Sequence, residues 1–327
     1  MDRITNNAGI NLVAACWLAH DDYDYVDKPN YISVTTLIKP IRQIVLPMRI
    51  PAADRVPDIV DRIQARIGQA LHSDVENVWK NHYKTSLAKL GYPKRVIDAI
   101  RINPVVQEPD TLPVHTEVRT EKTIGGYTVG GKIDIIIEYR LHDVKKTSVF
   151  GYQNQKGIGT TWLLQGSLYR WLNPEKIHHD ELFIQYLLLD WVGAFAKRDP
   201  NYPPHAVPTR SVKLMGVQET ERWVLEKLRL LQQYLDAPEE DLPECSEEDL
   251  WRTEPVYKFY ANADAPAGAR STKNFDTLQE AMQHKADKGK GRVERVPGLV
   301  KACNYCAAAP LCSQRERLLL DGSLAQD

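Results

Sequence analysis

The chain has 327 residues, 43% of them hydrophobic and 26% charged, enough apolar material for a substantial core and too much for a disordered chain. Its formal net charge of -1 supplies no bulk attraction to nucleic acid, so any DNA affinity has to come from local clusters of Lys and Arg. The opening residues carry Asn6, Asn7, Asp21, Asp22 and Asp24 in place of a basic start and an apolar stretch, and no run reaches the roughly 18 apolar residues of a membrane span; the expected location is cytoplasmic, with no membrane partner.

From Arg55 to Trp79, Val56, Val60, Ile63, Ile67 and Leu71 recur at three- and four-residue intervals, the period of an amphipathic helix, with His72 beside the stripe. Residues 114–140 change character: β-branched residues alternate with polar ones, and Gly125-Gly126 predicts a hairpin between strands 114–124 and 127–140. Ser148 to Gln153 predicts a third strand beside them. Leu163 to Leu172 reads as a helix ended by Asn173-Pro174. Two more strands, Glu181 to Val192 and Arg210 to Val217, flank a proline-rich loop. Thr220 to Leu235 is a periodic helix carrying Trp223, Leu225, Leu228, Leu231 and Tyr234. Residues 237–327 hold an acidic loop, a strand at Val256 to Tyr260, a helix at Thr277 to Lys288 and a cysteine cluster. No repeat and no clear linker appear, which predicts one α/β domain with a mixed central sheet flanked by helices. Residues 31–110 form its helical N-terminal part, 111–236 its core, and 237–327 a C-terminal addition.

Four features occur in order along this core: Gly131-Lys132-Ile133-Asp134 on a strand, Asn154-Gln155-Lys156 at the end of the next, then Gln165 and Tyr169 one helical turn apart. A carboxylate on one strand and a carboxylate-x-lysine on its neighbour gather two anionic ligands and one cation around a point. There Mg²⁺ can bind, polarise a phosphate and acidify a water, which the lysine positions. The first member of the second motif is Asn154, whose amide oxygen brings no charge, so Mg²⁺ affinity falls. Gln153 and Gln155 do not restore that charge. Taken singly, each residue has a plain reading as a strand-end Asp, a surface Lys or the polar edge of a helix; the ordered set is what points to chemistry.

That set resembles the PD-(D/E)XK nuclease superfamily, and within it the RecB-type exonucleases and the CRISPR-associated adaptation nucleases with a C-terminal iron-sulfur cluster. Gly68-x-x-Leu71-His72 resembles the upstream histidine motif, Glu117 stands where a glutamate often precedes the Gly-x-x-Asp by one strand, and Gln165-x-x-x-Tyr169 resembles the helix motif that supports the lysine. Ile32-Ser33-Val34-Thr35-Thr36-Leu37 resembles the N-terminal segment of phage-borne relatives. The resemblance implies a restriction-endonuclease-like core acting as a metal-dependent DNA exonuclease or end-processing nuclease in phage recombination, replication or repair, within a bacterial host cell. It implies Mg²⁺ or Mn²⁺ held by His72, Asp134 and Asn154 with Gln155 alongside, Lys156 addressing the attacking water, and Glu117, Gln165 and Tyr169 in support. DNA ends, single- or double-stranded, are the implied substrate, and a recombinase or helicase the implied partner. Asn154 leaves three readings open: a weakened or inactive nuclease, an engineered variant made to trap a substrate, or a pseudo-nuclease that keeps the fold to bind DNA or a protein.

Cys303-x-x-Cys306-x5-Cys312 is a metal-type spacing, since a two-residue gap brings two thiolates to one centre. In the resembling nucleases the same spacing supplies three ligands of a [4Fe-4S] cluster, completed by an N-terminal cysteine. Three completions are compatible here: a cluster closed by Cys16, which is preferred, a zinc site (Zn²⁺) closed by Cys245 or a histidine, or a cluster lost with its cysteines left behind. The basic run Lys285, Lys288, Lys290, Arg292 and Arg295 reads as a solvated face or as a set of phosphate contacts.

Overall fold

A computed structural model describes residues 4–21, 25–51, 56–106, 108–154, 159–266 and 268–324. In chain order the elements are α1 (Leu12–Ala19), β1 (Tyr31–Ser33), α2 (Val34–Leu37), α3 (Ile41–Arg49), α4 (Ile63–Asn77), a π-helical turn (Val78–His82), α5 (Tyr83–Lys89), α6 (Lys94–Ala99), β2 (Ile100–Ile102), β3 (Leu112–Ile124), β4 (Tyr127–Ile137) and β5 (Arg140–Thr147). There follow α7 (Val149–Asn154), α8 (Thr160–Leu172), β6 (Glu181–Leu188), α9 (Gly193–Ala196), β7 (Thr209–Lys213), α10 (Val217–Tyr234), β8 (Val256–Tyr260), β9 (Lys273–Phe275), α11 (Leu278–Lys288), β10 (Arg292–Val296) and α12 (Ser313–Leu320). The chain divides into two compact units, Met1–Ile38 with Ala53–Leu230, and Lys39–Ala52 with Leu231–Asp327. No linker marks the division in the sequence because the second unit is discontinuous and borrows α3 from the N-terminal region.

The first unit is α/β, built on a seven-stranded mixed sheet in which β2 to β7 lie in chain order and β1 pairs in parallel with β4. The β3–β4 hairpin turns through Gly125-Gly126, whose φ values of 57° and 81° glycine adopts without steric cost. Since β3 occupies one edge of β4 throughout, β1 and β5 share the other: β1 pairs with Thr128 to Gly130, and β5 with Ile135 to Ile137. Strand β4 therefore changes partner just where Gly131 to Asp134 lie.

The sequence reading of one strand over 127–140 and another over 148–153 is corrected here. Strand β4 stops at Ile137, the chain reverses through Glu138-Tyr139, and β5 runs Arg140–Thr147; Val149–Asn154 is the helix α7. The reversal was hidden because both turn residues lack the usual Asn-Gly signature yet adopt the left-handed region, with φ of 50° and 62°. Tertiary contacts hold them there. The Tyr139 ring stacks on His178 at 4.2 Å and 8° between planes, and the Tyr139 carbonyl accepts from the His178 amide at 3.1 Å.

Helix α8 buries Leu164, Leu168 and Trp171, and the Trp171 indole N–H donates to Glu221 Oε2 at 2.8 Å. Its Trp162, Leu163 and Tyr169 pack on a core of Ile133, Ile136, Leu141, Leu182, Ile184 and Tyr186. A second cluster joins Ile135 and Ile137 to Trp79 and Tyr83 of the α4–α5 segment. Ile133 and Ile135 thus lie in different clusters, as do Ile136 and Ile137, while Ile133 and Ile136 share one, so the period-two alternation of a strand slips by one residue at Asp134.

In the second unit β8 lies antiparallel between β9 and β10, and a small core forms from Leu250, Val300, Cys303, Leu318 and Leu324. Part of the basic run has structural work here. Lys285 and Lys288 close the last turn of α11, where cations favour the helix dipole, and Arg292 lies over the Tyr260 ring at 4.7 Å while donating to the Ala265 carbonyl at 2.9 Å.

Because asparagine tolerates the left-handed region better than glutamate, Glu138→Asn is expected to raise the unfolding free energy by roughly 0.5 kcal/mol. Urea denaturation checks this, and a destabilised variant would contradict the turn geometry.

Candidate metal centre

Where β4 parts from β3 and β5, three ligand side chains converge. His72 on α4, Asp134 on β4 and Asp143 on β5 each offer an atom within 4.8 Å of the others. Register explains the two carboxylates: the last β4–β5 pair is Ile135 with His142, so the next position along sets Asp134 opposite Asp143. On the other edge the β3–β4 ladder pairs Thr116 with Ile135 and Val118 with Ile133, and skips Glu117 and Asp134 between them. Glu117 takes a φ of 53° there, a strained conformation for a non-glycine residue of the kind that collects at functional sites.

Two ionised carboxylates at such a separation repel by roughly 3 kcal/mol at an effective dielectric near 20. The protein answers with cations. His72 Nδ1 lies 3.2 Å from Asp134 Oδ2, Lys145 Nζ lies 2.9 Å from Asp143 Oδ2, and Lys132 pairs with Glu117. Asp143 and Lys145, two residues apart on a strand, share a face, and Lys145 Nζ also sits over the Trp162 ring of α8 at 4.9 Å from its centroid. That aromatic face favours the charged amine and fixes its direction.

Protonation follows the same balance. Burial opposes ionisation of Asp134, but the hydrogen bond and charge of His72, together with Lys145 and Lys132, outweigh it and hold the carboxyl below its ordinary value. Burial pushes Asp143 up, with the Asp134 charge adding to it and Lys145 opposing. The hydrogen bond to Asp134 raises His72 against its partial burial. His142, next to Asp143, is driven down to about 4 by burial, with Arg140 adding to the fall, and stays neutral.

The donor set suits a hard divalent cation: two carboxylates and an imidazole, with the buried Asp143 Oδ1 left without a hydrogen-bond partner. Gln165 and Tyr169 line the small cavity at Asp134 and Asp143, together with Ile133, Leu141, His142 and Leu182. The Gln165 amide donates to the Tyr169 hydroxyl at 3.1 Å. Gly131 is required by that ring, because a Cβ built on it would lie 2.7 Å from Tyr169 Cε1.

Of the residues expected from sequence, His72, Asp134, Gln165 and Tyr169 come together here, and Glu117 stands beside them, paired to Lys132. Asn154 does not join them. It ends α7, is exposed, and donates to the Phe150 carbonyl at 2.9 Å. Gln155 and Lys156 lie outside the described residues. The carboxylate-x-lysine on the neighbouring strand is instead Asp143-Val144-Lys145, which sequence reasoning missed. Its signal was the triplet itself, nine residues after Asp134, masked by reading β4 through the Glu138-Tyr139 turn.

No family model matches the chain, and no curated protein matches it. Among solved structures, the crystal structure of SSO0001 is similar over 65% of this chain and 81% of that chain, with 16% identity and a TM-score of 0.39.

A cation entering this site has to displace the proton that the hydrogen bond to Asp134 helps His72 hold above its ordinary value. Mn²⁺ affinity is therefore expected to rise between pH 6 and pH 8, by up to about tenfold per pH unit for each proton displaced. Calorimetry in two buffers of different ionisation enthalpy reads both the affinity and the protons released. A pH-independent affinity with no proton release would contradict the assignment.

Proposed function

We propose that the chain is a divalent-metal-dependent nuclease acting on DNA, an exonuclease or end-processing enzyme of phage recombination, replication or repair working in the bacterial cytoplasm. The observation that carries the reading is Asp143-x-Lys145 facing Asp134 across two strands, with His72 closing the ligand set. The loss of charge at Asn154 was the ground for the alternative of a weakened or inactive enzyme. With Asp143 taken as the second carboxylate, the neutral side chain at Asn154 does not weigh against hydrolysis.

His72, Asp134 and Asp143 would hold Mg²⁺ or Mn²⁺, which when bound supplies Lewis acidity and positive charge at a phosphodiester. Lys145, directed by Trp162 and Asp143, offsets phosphate charge and orients a water toward phosphorus. Gln165 and the Tyr169 hydroxyl, both on α8, present neutral polar groups to the same cavity and position the backbone of the substrate strand. Lys132, held by Glu117, adds a second cation on the β4 side. None of these groups recognises a base, so the arrangement favours hydrolysis without sequence preference.

Hydrolysis of single- and double-stranded DNA with Mn²⁺ tests the proposal. Asp143→Asn and Lys145→Ala should each lower the rate by about a hundredfold or more, whereas Asn154→Ala and Asn154→Asp should stay within about twofold of the parent. An inactive parent protein, or a parent-like rate in Asp143→Asn, would overturn it.

A further inference from the structure

Strand β5 carries Asp143 and Lys145 and ends at Thr147, about 7 Å beyond Lys145 at the rise of a strand. The chain then enters α7, whose Phe150 is 74% exposed, and the neighbouring β6 leads into Leu189, 70% exposed. These two large apolar side chains stand in solvent at the carboxyl ends of two parallel strands, where open α/β sheets receive their ligands.

Their exposure does not come from a loosely held segment. The Val149 amide, which opens α7, donates to Asp190 Oδ1 at 2.7 Å, and the Leu189 amide donates to the Thr147 carbonyl at 3.0 Å. Gly151 permits the tight turn, because a Cβ built on it would lie 2.5 Å from Thr147 Oγ1. At the far end of α7, Arg210 lies over the Tyr152 ring at 3.9 Å and donates to the Tyr152 carbonyl at 2.9 Å, while Gln153 Nε2 donates to the Asn201 carbonyl at 2.8 Å.

Tyr152 also fixes which face of the sheet α7 covers. Its ring meets Tyr186 edge-on at 5.3 Å, and Tyr186 is the β6 partner of Lys145. Paired residues of neighbouring strands project to the same face, so α7 packs on the face from which Lys145 reaches Asp143 and Trp162. Beyond Leu189 the surface continues through Phe195, which meets Tyr202 edge-on at 5.7 Å, to the exposed Lys197 and Arg198. The carboxylates of this segment, Asp190 and Asp199, are engaged by the Val149 and Asn201 amides. Apolar side chains followed by cations suit a single nucleic-acid strand, whose bases stack on the former and whose phosphates meet the latter. A duplex hides the faces of its bases against one another, so a fixed aromatic ring selects an unpaired base.

We propose that Phe150, with Leu189 beside it, is a stacking platform for an unpaired base of the DNA strand whose phosphate enters the His72 site, with Lys197 and Arg198 meeting phosphates farther along. Resting on the nuclease reading of that site, the platform narrows the substrate to a strand that is single-stranded where it reacts. Stacking tolerates any base, in keeping with hydrolysis without sequence preference.

Fluorescence anisotropy of a labelled oligothymidylate and of an abasic strand of equal length, with Ca²⁺ in place of Mn²⁺, tests it on the full chain. Phe150 is exposed, so its replacement leaves the core intact. Phe150→Ala should weaken binding of the oligothymidylate about fivefold or more, Phe150→Trp should bind it as the parent does, and the abasic strand should bind parent and Phe150→Ala alike. The dependence of log Kd on log salt concentration should be the same in both, since no phosphate contact is lost. A parent-like oligothymidylate affinity in Phe150→Ala, or an equal loss on the abasic strand, would overturn the platform. Hydrolysis with Mn²⁺, measured on the same proteins, separates this from the nuclease reading. A parent that cleaves DNA while Phe150→Ala binds it equally well defeats the platform alone. A parent that binds without cleaving, with Phe150→Ala weakened only on the base-bearing strand, defeats hydrolysis alone; a parent that does neither defeats both.

Discussion

The first unit depends on two carboxylates being held face to face. Asp134 and Asp143 stand opposite each other at the mouth of a hairpin, one step beyond its last regular pair, where like charges ordinarily destabilise a sheet. What surrounds them can be read as an answer to that repulsion: a histidine from α4, a lysine two residues along β5 kept in line by an aromatic ring of α8, and a second lysine engaged by Glu117. A sheet that changes partners between Gly130 and Ile135 leaves room for the group they would share.

Much of this frame was legible in the sequence. Gly125-Gly126 announced the long hairpin, the stripe Ile63, Ile67 and Leu71 announced α4, which starts at Ile63 and not at the expected Arg55, and Asn173-Pro174 marked the end of α8. Gly131 and Asp134 were recognised together, and the structure supplies the reason for their spacing: the glycine admits the Tyr169 ring, while the aspartate meets its partners where β4 loses its regular pairing. Gln165 and Tyr169 were legible because a four-residue interval places them on one face of a helix.

The rest was hidden by a turn that carries no turn residues. Glu138 and Tyr139 adopt the left-handed conformation because His178, some forty positions away, stacks on the turn, and no local propensity reports a contact of that kind. Missing the reversal merged β4 with the start of β5 and displaced the search for the second motif to Asn154.

The claim on which the account rests is that His72, Asp134 and Asp143 form one divalent-cation site. Anomalous diffraction from crystals soaked in Mn²⁺ tests it most directly. The account predicts a manganese peak within bonding distance of a nitrogen of His72 and of oxygens of both aspartates, absent from crystals of Asp143→Asn. A soaked crystal with no peak among these three residues, or with its manganese beside Asn154, would contradict it.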